Sequence, residues 1–288
     1  MSALVRARAR AKLNLTLDVL GRREDGYHEM RMVMQSVALA DELTLRDGAG
    51  EGVRVKSNFG FLPADARNLA AAAALIYWRE RGIAPRPLEI ELKKTIPVCA
   101  GLGGGSSDAA AVLRVLNESA ESPLPVEELC RLARDVGADV PYCVMGGTAL
   151  AEGVGERLTR LPALPVCFAV ICKPDFSVST PELFRQIDAV TLRRRPDTDS
   201  VLRALEAGDL AGVARRMYNV FEDVLPRRSA AKVEEIKSVL IRCGALGAVM
   251  SGTGSATFGL FEREEEARQA HAELAALYPK ETFLTETV

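Results

Sequence analysis

The sequence predicts a two-domain α+β fold, and three observations carry that expectation. Polar and apolar residues alternate strictly from Lys12 to Val19, the signature of a strand. A glycine-rich stretch lies between a second strand pattern and a helix pattern, giving a strand, loop and helix in succession. Beyond a short Pro-containing stretch at 161–165, strands and helices follow in the order of a split βαβ with inserted helices. The expected division is an N-terminal α+β domain over residues 1–162 and a C-terminal split βαβ (ferredoxin-like) domain over 163–288.

In order along the chain, the first strand sets Lys12, Asn14, Thr16 and Asp18 on one face and Leu13, Leu15, Leu17 and Val19 on the other, a half-buried pattern. Its pleat spaces Lys12 and Asn14 by about 6.6 Å on a common face. Asn68 is positioned to cap a helix that runs to Arg81 and ends at Gly82. Leu88, Ile90 and Leu92 alternate as a strand that Pro97 closes. Ser106, Ser107 and Asp108 then open a helix to about Asn117, with Ala109, Val112, Leu113 and Leu116 as its apolar face. A helix from Val126 to Val136 stops at Gly137, and a hairpin turning at 153–155 follows Asp139 and Pro141. The C-terminal part reads as a strand at Val166–Cys172, helices, a helix at Ala230–Arg242, two short strands flanking Gly252–Gly254, a helix at Glu264–Leu277 and a final strand.

Composition narrows the function classes. The 37 basic and 39 acidic side chains leave a formal charge of −2 with no block of either sign, so neither a nucleic-acid nor a membrane-surface footprint is present. The longest apolar run, Leu69–Trp78, is half the roughly 20 residues of a bilayer span and reads as a buried helix. No apolar segment follows Arg6, Arg8 and Arg10, so a leader is not expected and the cytoplasm is the default location. The six cysteines lack CxxC or His-paired spacing and read as free, mostly buried thiols. The run Arg193–Arg195 reads as a solvated loop.

The strongest chemical signal is IPVCAGLGGGSSDAAA, from Ile96 to Ala111. Glycines allow close backbone approach, so successive N–H groups can converge on phosphate oxygens. The helix start adds about half a positive charge and unpaired donors. ATP phosphates are the natural guest. A Walker A loop needs Gly-Lys-Ser/Thr, whereas Ser106 follows Gly105, and a dinucleotide fingerprint needs glycine where Ser106 stands. Three further pieces suit phosphoryl transfer: Lys12 with Asn14 on a strand, Asp139 after a helix, and the turn Gly252, Thr253, Gly254. Each alone is ordinary, being a surface lysine, a cap and a turn.

Together with the loop, these pieces resemble the GHMP kinase superfamily in order and spacing from Ala11 to about Gly259. Gly21–His28, GRREDGYH, with AKLNLTLDVL before it and GADVPYCVMGG after, resembles the branch acting on a cytidine-diphosphate-linked methylerythritol. The resemblance implies ATP-dependent phosphorylation of that polyol's 2-hydroxyl, with Mg²⁺ accompanying ATP and a monomer or weak homodimer as the working form. ATP would lie on Pro97, Val98, Cys99, Ala100, Gly101, Leu102, Gly103, Gly104, Gly105, Ser106 and Ser107, with Asn68 and Lys94 at its adenine end. Asp139 would accept or orient the hydroxyl proton, and Lys12 would pair with it and with the transferring phosphate. Asn14, Thr180, Gly252 and Thr253 would contact the substrate. Tyr27 and Phe184 would sandwich the cytosine and His28 would hydrogen-bond it, consistent with the about 1 to 3 kcal/mol of base–aromatic stacking.

Cys99 departs from the pattern, since many members of the family have Gly or Ala there. No acidic cage for Mg²⁺ is visible, and Ser107 is the expected protein contact. The competing readings are a homoserine- or mevalonate-type kinase, opposed by GRREDGYH, and a nucleotide-binding regulator without transfer activity, opposed by Lys12 and Asp139. A Rossmann-type dehydrogenase is opposed by the missing third glycine.

Overall fold

In the computed structural model, which describes residues 4–288, the alternating segment is the centre of a long strand, β1 (Val5–Arg22), followed by β2 (His28–Asp47). Next come β3 (Val53–Ser57), α1 (Leu69–Glu80), β4 (Leu88–Lys93), α2 (Gly104–Glu118), α3 (Val126–Ala133) and α4 (Val140–Met145). The hairpin of β5 (Thr148–Gly153) and β6 (Arg157–Arg160) leads to β7 (Phe168–Cys172), α5 (Thr180–Asp188), α6 (Thr198–Glu206), α7 (Leu210–Ala214) and β8 (Tyr218–Asn219). A 3-10 turn at Val220–Val224, α8 (Arg227–Arg242), β9 (Gly247–Met250), β10 (Thr257–Phe261), α9 (Glu264–Leu277) and β11 (Thr282–Glu286) complete the chain.

Two compact units interleave along the sequence, because β1, β2 and the glycine loop each contribute to both. The first contains residues up to Ala11, Leu39–Val98 and Gly103–Gly146. Here β3 runs parallel to β4, and β4 pairs antiparallel with the Glu42–Asp47 end of β2. Its core joins Leu43, Leu45, Ile90 and Leu92 of the strands to α1 and α2. Helix α1 buries Ala70, Ala71, Ala73, Ala74, Tyr77 and Trp78, and small alanines let α2 approach it closely. The Tyr77 hydroxyl donates to Asn117 Oδ1, so the polar end of a buried aromatic is satisfied.

The second unit contains Lys12–Ala38, Cys99–Leu102 and Gly147–Val288. Met30–Gln35 of β2 pair antiparallel with β5, and Thr16 and Leu17 of β1 pair parallel with β8. A separate four-stranded antiparallel sheet has the order β11-β7-β10-β9, with α8 connecting into β9 and α9 joining β10 to β11. That is the expected split βαβ, with α5, α6, α7 and β8 inserted after β7. Its helices close over Val170, Cys172 and Phe261 through Ile236, Leu240, Ala267, Ala270 and Leu274.

One sequence expectation changes. Strand β1 is buried on both faces rather than half-buried: Lys12, Asn14, Thr16 and Asp18 are as inaccessible as the leucines between them. The arginine run 193–195 is an exposed loop, as expected, and two of its members have partners. Arg195 donates from Nη1 to Asp18 Oδ1 at 2.6 Å and to the Val19 carbonyl at 2.9 Å, and Arg194 lies 4.4 Å over the Tyr218 ring. Burial raises the Asp18 carboxyl above its ordinary range, and Arg195 opposes the shift. Among the described residues, no helix is long and apolar enough to cross a membrane.

Candidate active site

In the second unit, the turn after β9 is built around β1 and the middle of the glycine loop. Lys12 donates its backbone N–H to the Leu102 carbonyl at 3.0 Å, and the Ala256 N–H reaches the Ala100 carbonyl at 3.1 Å. Ser251 Oγ accepts from the Asn14 N–H at 3.2 Å and donates to the Gly101 carbonyl at 3.0 Å. Asn219 fixes the turn from below by donating Nδ2 to the Met250 and Gly252 carbonyls. The packing leaves no room for side chains: a Cβ on Gly101 would lie 2.1 Å from the Ser251 carbonyl oxygen, at φ +77°. A Cβ on Gly252 would lie 3.3 Å from Lys12 Nζ.

Lys12 and Asn14 share the strand face expected of them and bond directly, with Lys12 Nζ donating to Asn14 Oδ1 at 2.7 Å. The Lys12 side chain lies deep, the residue being only 4% exposed. Thr253 Oγ1 is 2.9 Å from Thr180 Oγ1 at the first turn of α5. The second unit therefore gathers Lys12, Asn14, Ala100, Gly101, Leu102, Thr180, Gly252 and Thr253 into one neighbourhood.

Helix α5 continues that line. Thr180, Phe184 and Asp188 are four residues apart and share a face. Phe184 stacks on His28 with ring centroids 4.4 Å apart, and Asp188 Oδ1 is 2.8 Å from His28 Nε2. Tyr27, the neighbouring aromatic, is 64% exposed. Phe184 is thus paired with His28 here, and Tyr27 presents a free-standing ring.

In the first unit, α2 begins at Gly104, two residues earlier than the serines suggest. Gly103 occupies its N-cap at φ 69°, and the Ser107 N–H makes an early helical bond to the Gly103 carbonyl at 2.8 Å. The N–H groups of Gly104, Gly105 and Ser106 have no acceptor within the helix, the kind of donor set an anion can use. The Ser107 hydroxyl donates to the Arg10 carbonyl at 2.5 Å. Pro97 and Val98 are half-buried at the loop's start. Cys99 is exposed with φ 54°, a left-handed backbone better suited to glycine.

Asp139 stands at the N-cap of α4 but makes no side-chain cap bond, and it is half-buried. Asn68 caps α1 by accepting from the Ala70 N–H at 3.0 Å and donates Nδ2 to the Pro63 carbonyl at 2.9 Å. Lys94 is buried between two carboxylates, Asp41 and Asp108. Burial pushes the Asp108 carboxyl up to about 7, opposed by Lys94 and reinforced by the neighbouring Asp41.

Sequence reasoning missed Asp41, Asp188, Asn219 and Ser251. Asp41 carries a usable signal: it shares strand phase with the buried Leu43 and Leu45, and a carboxylate on the apolar phase of a strand demands a partner. Asp188 was legible from its spacing to Thr180 and Phe184. Asn219 and Ser251 act through backbone that the fold brings to them, and no local pattern announces that. Among the described residues no group of three or more His, Cys, Asp or Glu side chains is arranged to hold a metal ion. The Ser107 hydroxyl gives its proton to the Arg10 carbonyl and keeps its oxygen lone pairs, so it fits the expected protein contact of a Mg²⁺ ion that is otherwise held by phosphate and water.

Two family models match the chain: the GHMP kinases N terminal domain over residues 68–147 and the GHMP kinases C terminal over 201–280. The 4-diphosphocytidyl-2-C-methyl-D-erythritol kinase of Lachnospira eligens is 43% identical, covering 97% of this chain and 98% of its own. That of Alkaliphilus metalliredigens is also 43% identical, covering 98% and 96%. A crystal structure of 4-(cytidine 5'-diphospho)-2C-methyl-D-erythritol kinase superposes with a TM-score of 0.80 at 36% identity, covering 98% of this chain and 99% of that one. The homoserine kinase of Cytophaga hutchinsonii, at 21% identity, shares the fold with a TM-score of 0.78.

Proposed function

The chain belongs to the 4-diphosphocytidyl-2-C-methyl-D-erythritol kinase family of the GHMP kinases, and from that premise we infer its reaction. It transfers the γ-phosphoryl group of ATP to the 2-hydroxyl of 4-diphosphocytidyl-2-C-methyl-D-erythritol, releasing ADP and the 2-phosphate. The observation that carries this is 43% identity sustained over 97% of the chain, which spans both halves of the site. The family matches at 68–147 and 201–280 also support a functional division near residue 162, with the modules 1–162 and 163–288.

Phosphoryl transfer passes through a loose transition state, so the protein's task is to align groups and neutralise charge. The substrate oxygen attacks the γ-phosphorus while the bond to the β,γ-bridging oxygen breaks and ADP departs with its electrons. The loop N–H groups from Gly101 to Ser106 hold the phosphates, with Asn68 and Lys94 in the framework near the adenine end. Lys12, oriented by Asn14, neutralises charge on the transferring group. Asp139 orients the hydroxyl and accepts its proton. An ordinary carboxylate suffices, because the attacking oxygen needs little activation in a loose transition state. Mg²⁺ bound with ATP would neutralise phosphate charge, with Ser107 as the protein residue that would hold it.

Recognition of the cytidyl half is assigned to Tyr27, His28 and Phe184, with Thr180, Gly252 and Thr253 along the polyol. Phe184 would offer cytosine an aromatic face beside His28, whose ring lies 4.4 Å from it and whose nitrogens would meet the base edge. The enzyme is read as cytoplasmic, working as a monomer or weak homodimer. A coupled ADP-release assay tests the function. Turnover should require the cytidyl substrate, with unsubstituted methylerythritol phosphate poor and homoserine and mevalonate inactive. Equal turnover of homoserine or mevalonate would overturn the assignment.

A further inference from the structure

We infer that Asp41, Lys94 and Asp108 are positioning residues for ATP, a buried ionic clamp that shapes the phosphate loop by joining the residues just before it to those just after it. The inference rests on the reading of that loop as the ATP cradle. Each member comes from a different element: Asp41 from β2, Lys94 from the residue after β4, and Asp108 from the second turn of α2. All three are buried.

The clamp's geometry has two halves. Lys94 Nζ donates to Asp41 Oδ2 and, at 2.5 Å, to Asp108 Oδ2. The second Asp41 oxygen, Oδ1, accepts the N–H groups of Thr95 at 2.5 Å and Ile96 at 2.8 Å, the last two residues before the loop. Asn58 grips the Lys94 backbone in both senses, accepting from its N–H and donating to its carbonyl. On the far side, Gly104 starts α2 so close that a Cβ there would lie 3.1 Å from Ile96 Cγ2 and 3.4 Å from Lys94 Nζ. Residues 94–96 and 104–108 are therefore tied through one amino group, and the intervening loop is left with little freedom in where it begins and ends.

A cluster kept only for stability would not be built this way. Burying two carboxylates around one cation costs desolvation that a well-packed apolar trio avoids. Asp108 Oδ1 is moreover buried without a hydrogen-bond partner, an expense that adds nothing to packing. The return is directional. The first-turn N–H groups of α2 must point at phosphate oxygens, and a displacement of about 1 Å in such donors costs on the order of 10²-fold.

The test uses Asp108→Asn and Asp41→Asn in the full-length protein, with MgADP binding by titration calorimetry beside steady-state kinetics and melting. Asp41→Asn keeps an oxygen for the Thr95 and Ile96 N–H groups while removing the charge that holds Lys94. Both variants should bind MgADP about tenfold or more weakly and raise KM for ATP in parallel. KM for the cytidyl substrate should not move, and kcat at saturating ATP should fall by no more than about threefold, the pattern of lost ground-state binding. Lower melting temperatures with unchanged MgADP affinity would make the cluster structural only and overturn the inference. So would a fall in kcat with KM for ATP unaltered. Should neither variant fold, amide exchange in the wild type decides: the Thr95 and Ile96 N–H groups, which Asp41 accepts, should be protected before nucleotide is added. Rapid exchange there that slows only with MgADP would refute a preformed clamp. Failure of the wild type itself to bind MgADP would instead sink the ATP reading of the loop.

Discussion

Replacing Gly101 by alanine isolates the close approach between the glycine loop and the turn after β9. The new methyl would lie 2.1 Å from the Ser251 carbonyl oxygen and 3.2 Å from the Gly254 nitrogen, both backbone atoms that cannot rotate away. Ordinary contact requires a separation of about 1 Å more than the first of these distances allows. Holding alanine at φ +77° adds about 1 to 2 kcal/mol of left-handed strain. At roughly 2 to 4 °C per kcal/mol for a chain somewhat smaller than this one, the strain alone lowers the melting temperature by about 2 to 8 °C. The larger effect is on function. The Ser251 contact to the Gly101 carbonyl and the Ser251 acceptance from the Asn14 N–H share one hydroxyl, so moving the loop also moves the strand that carries Lys12. A displacement of about 1 Å predicts a loss of about 10²-fold in kcat/KM for ATP. Coupled ADP release and thermal melting measure the two effects, with Gly60→Ala as the control because nothing lies within 4 Å of its added Cβ. A Gly101→Ala enzyme with wild-type KM, kcat and melting temperature would refute the reasoning.

Lys12→Met and Asp139→Asn should each lower kcat by about 10² to 10⁴ while leaving MgADP affinity nearly intact, as calorimetry and steady-state rates can separate. Near-normal kcat in Asp139→Asn would remove it from the reacting centre. Tyr27→Ala should raise KM for the cytidyl substrate by roughly 10- to 100-fold with kcat little changed, because stacking is made equally in ground and transition states; abolished turnover at saturating substrate would contradict that. In thiol titration, Cys99 should react first and be slowed by MgADP, since it is exposed on the loop. Cys167 and Cys172 should resist, their thiols pushed up to about 11 by burial. All six should appear after unfolding without reductant, and four or fewer would reveal a disulfide.

Much of the architecture is local and was therefore legible. The helix capped by Asn68, the glycine-led start of α2, the hairpin after α4 and the closing β-α-β order are each written in periodicity and punctuation over a few residues. The loop's candidacy as a phosphate cradle could be read for the same reason, because glycines leading into a helix start leave backbone N–H groups open to an anion. The placement of Lys12 and Asn14 on one face followed from strand spacing alone, whereas their direct bond at 2.7 Å did not.

The remaining features depend on residues far apart in sequence. Strand β1 looked half-buried because alternation reports two faces of different polarity, not whether each face meets water; the polar side chains are met by distant residues such as Arg195 at Asp18 and Met32 at Asn14. The arginine run is exposed as expected, but its partners could not be read from it, because Asp18 and Tyr218 lie 177 and 24 residues away in opposite directions along the chain. Lys94 carried a plain family resemblance in the sequence, yet its two carboxylates stand 53 and 14 residues away, on elements that only the packed sheet and helix bring together. Sequence determined which residues can form a strand, start a helix or approach a phosphate, because those properties belong to neighbours on the chain. Tertiary structure decided which charges are buried together, because desolvation and ion pairing act through space and are indifferent to sequence separation.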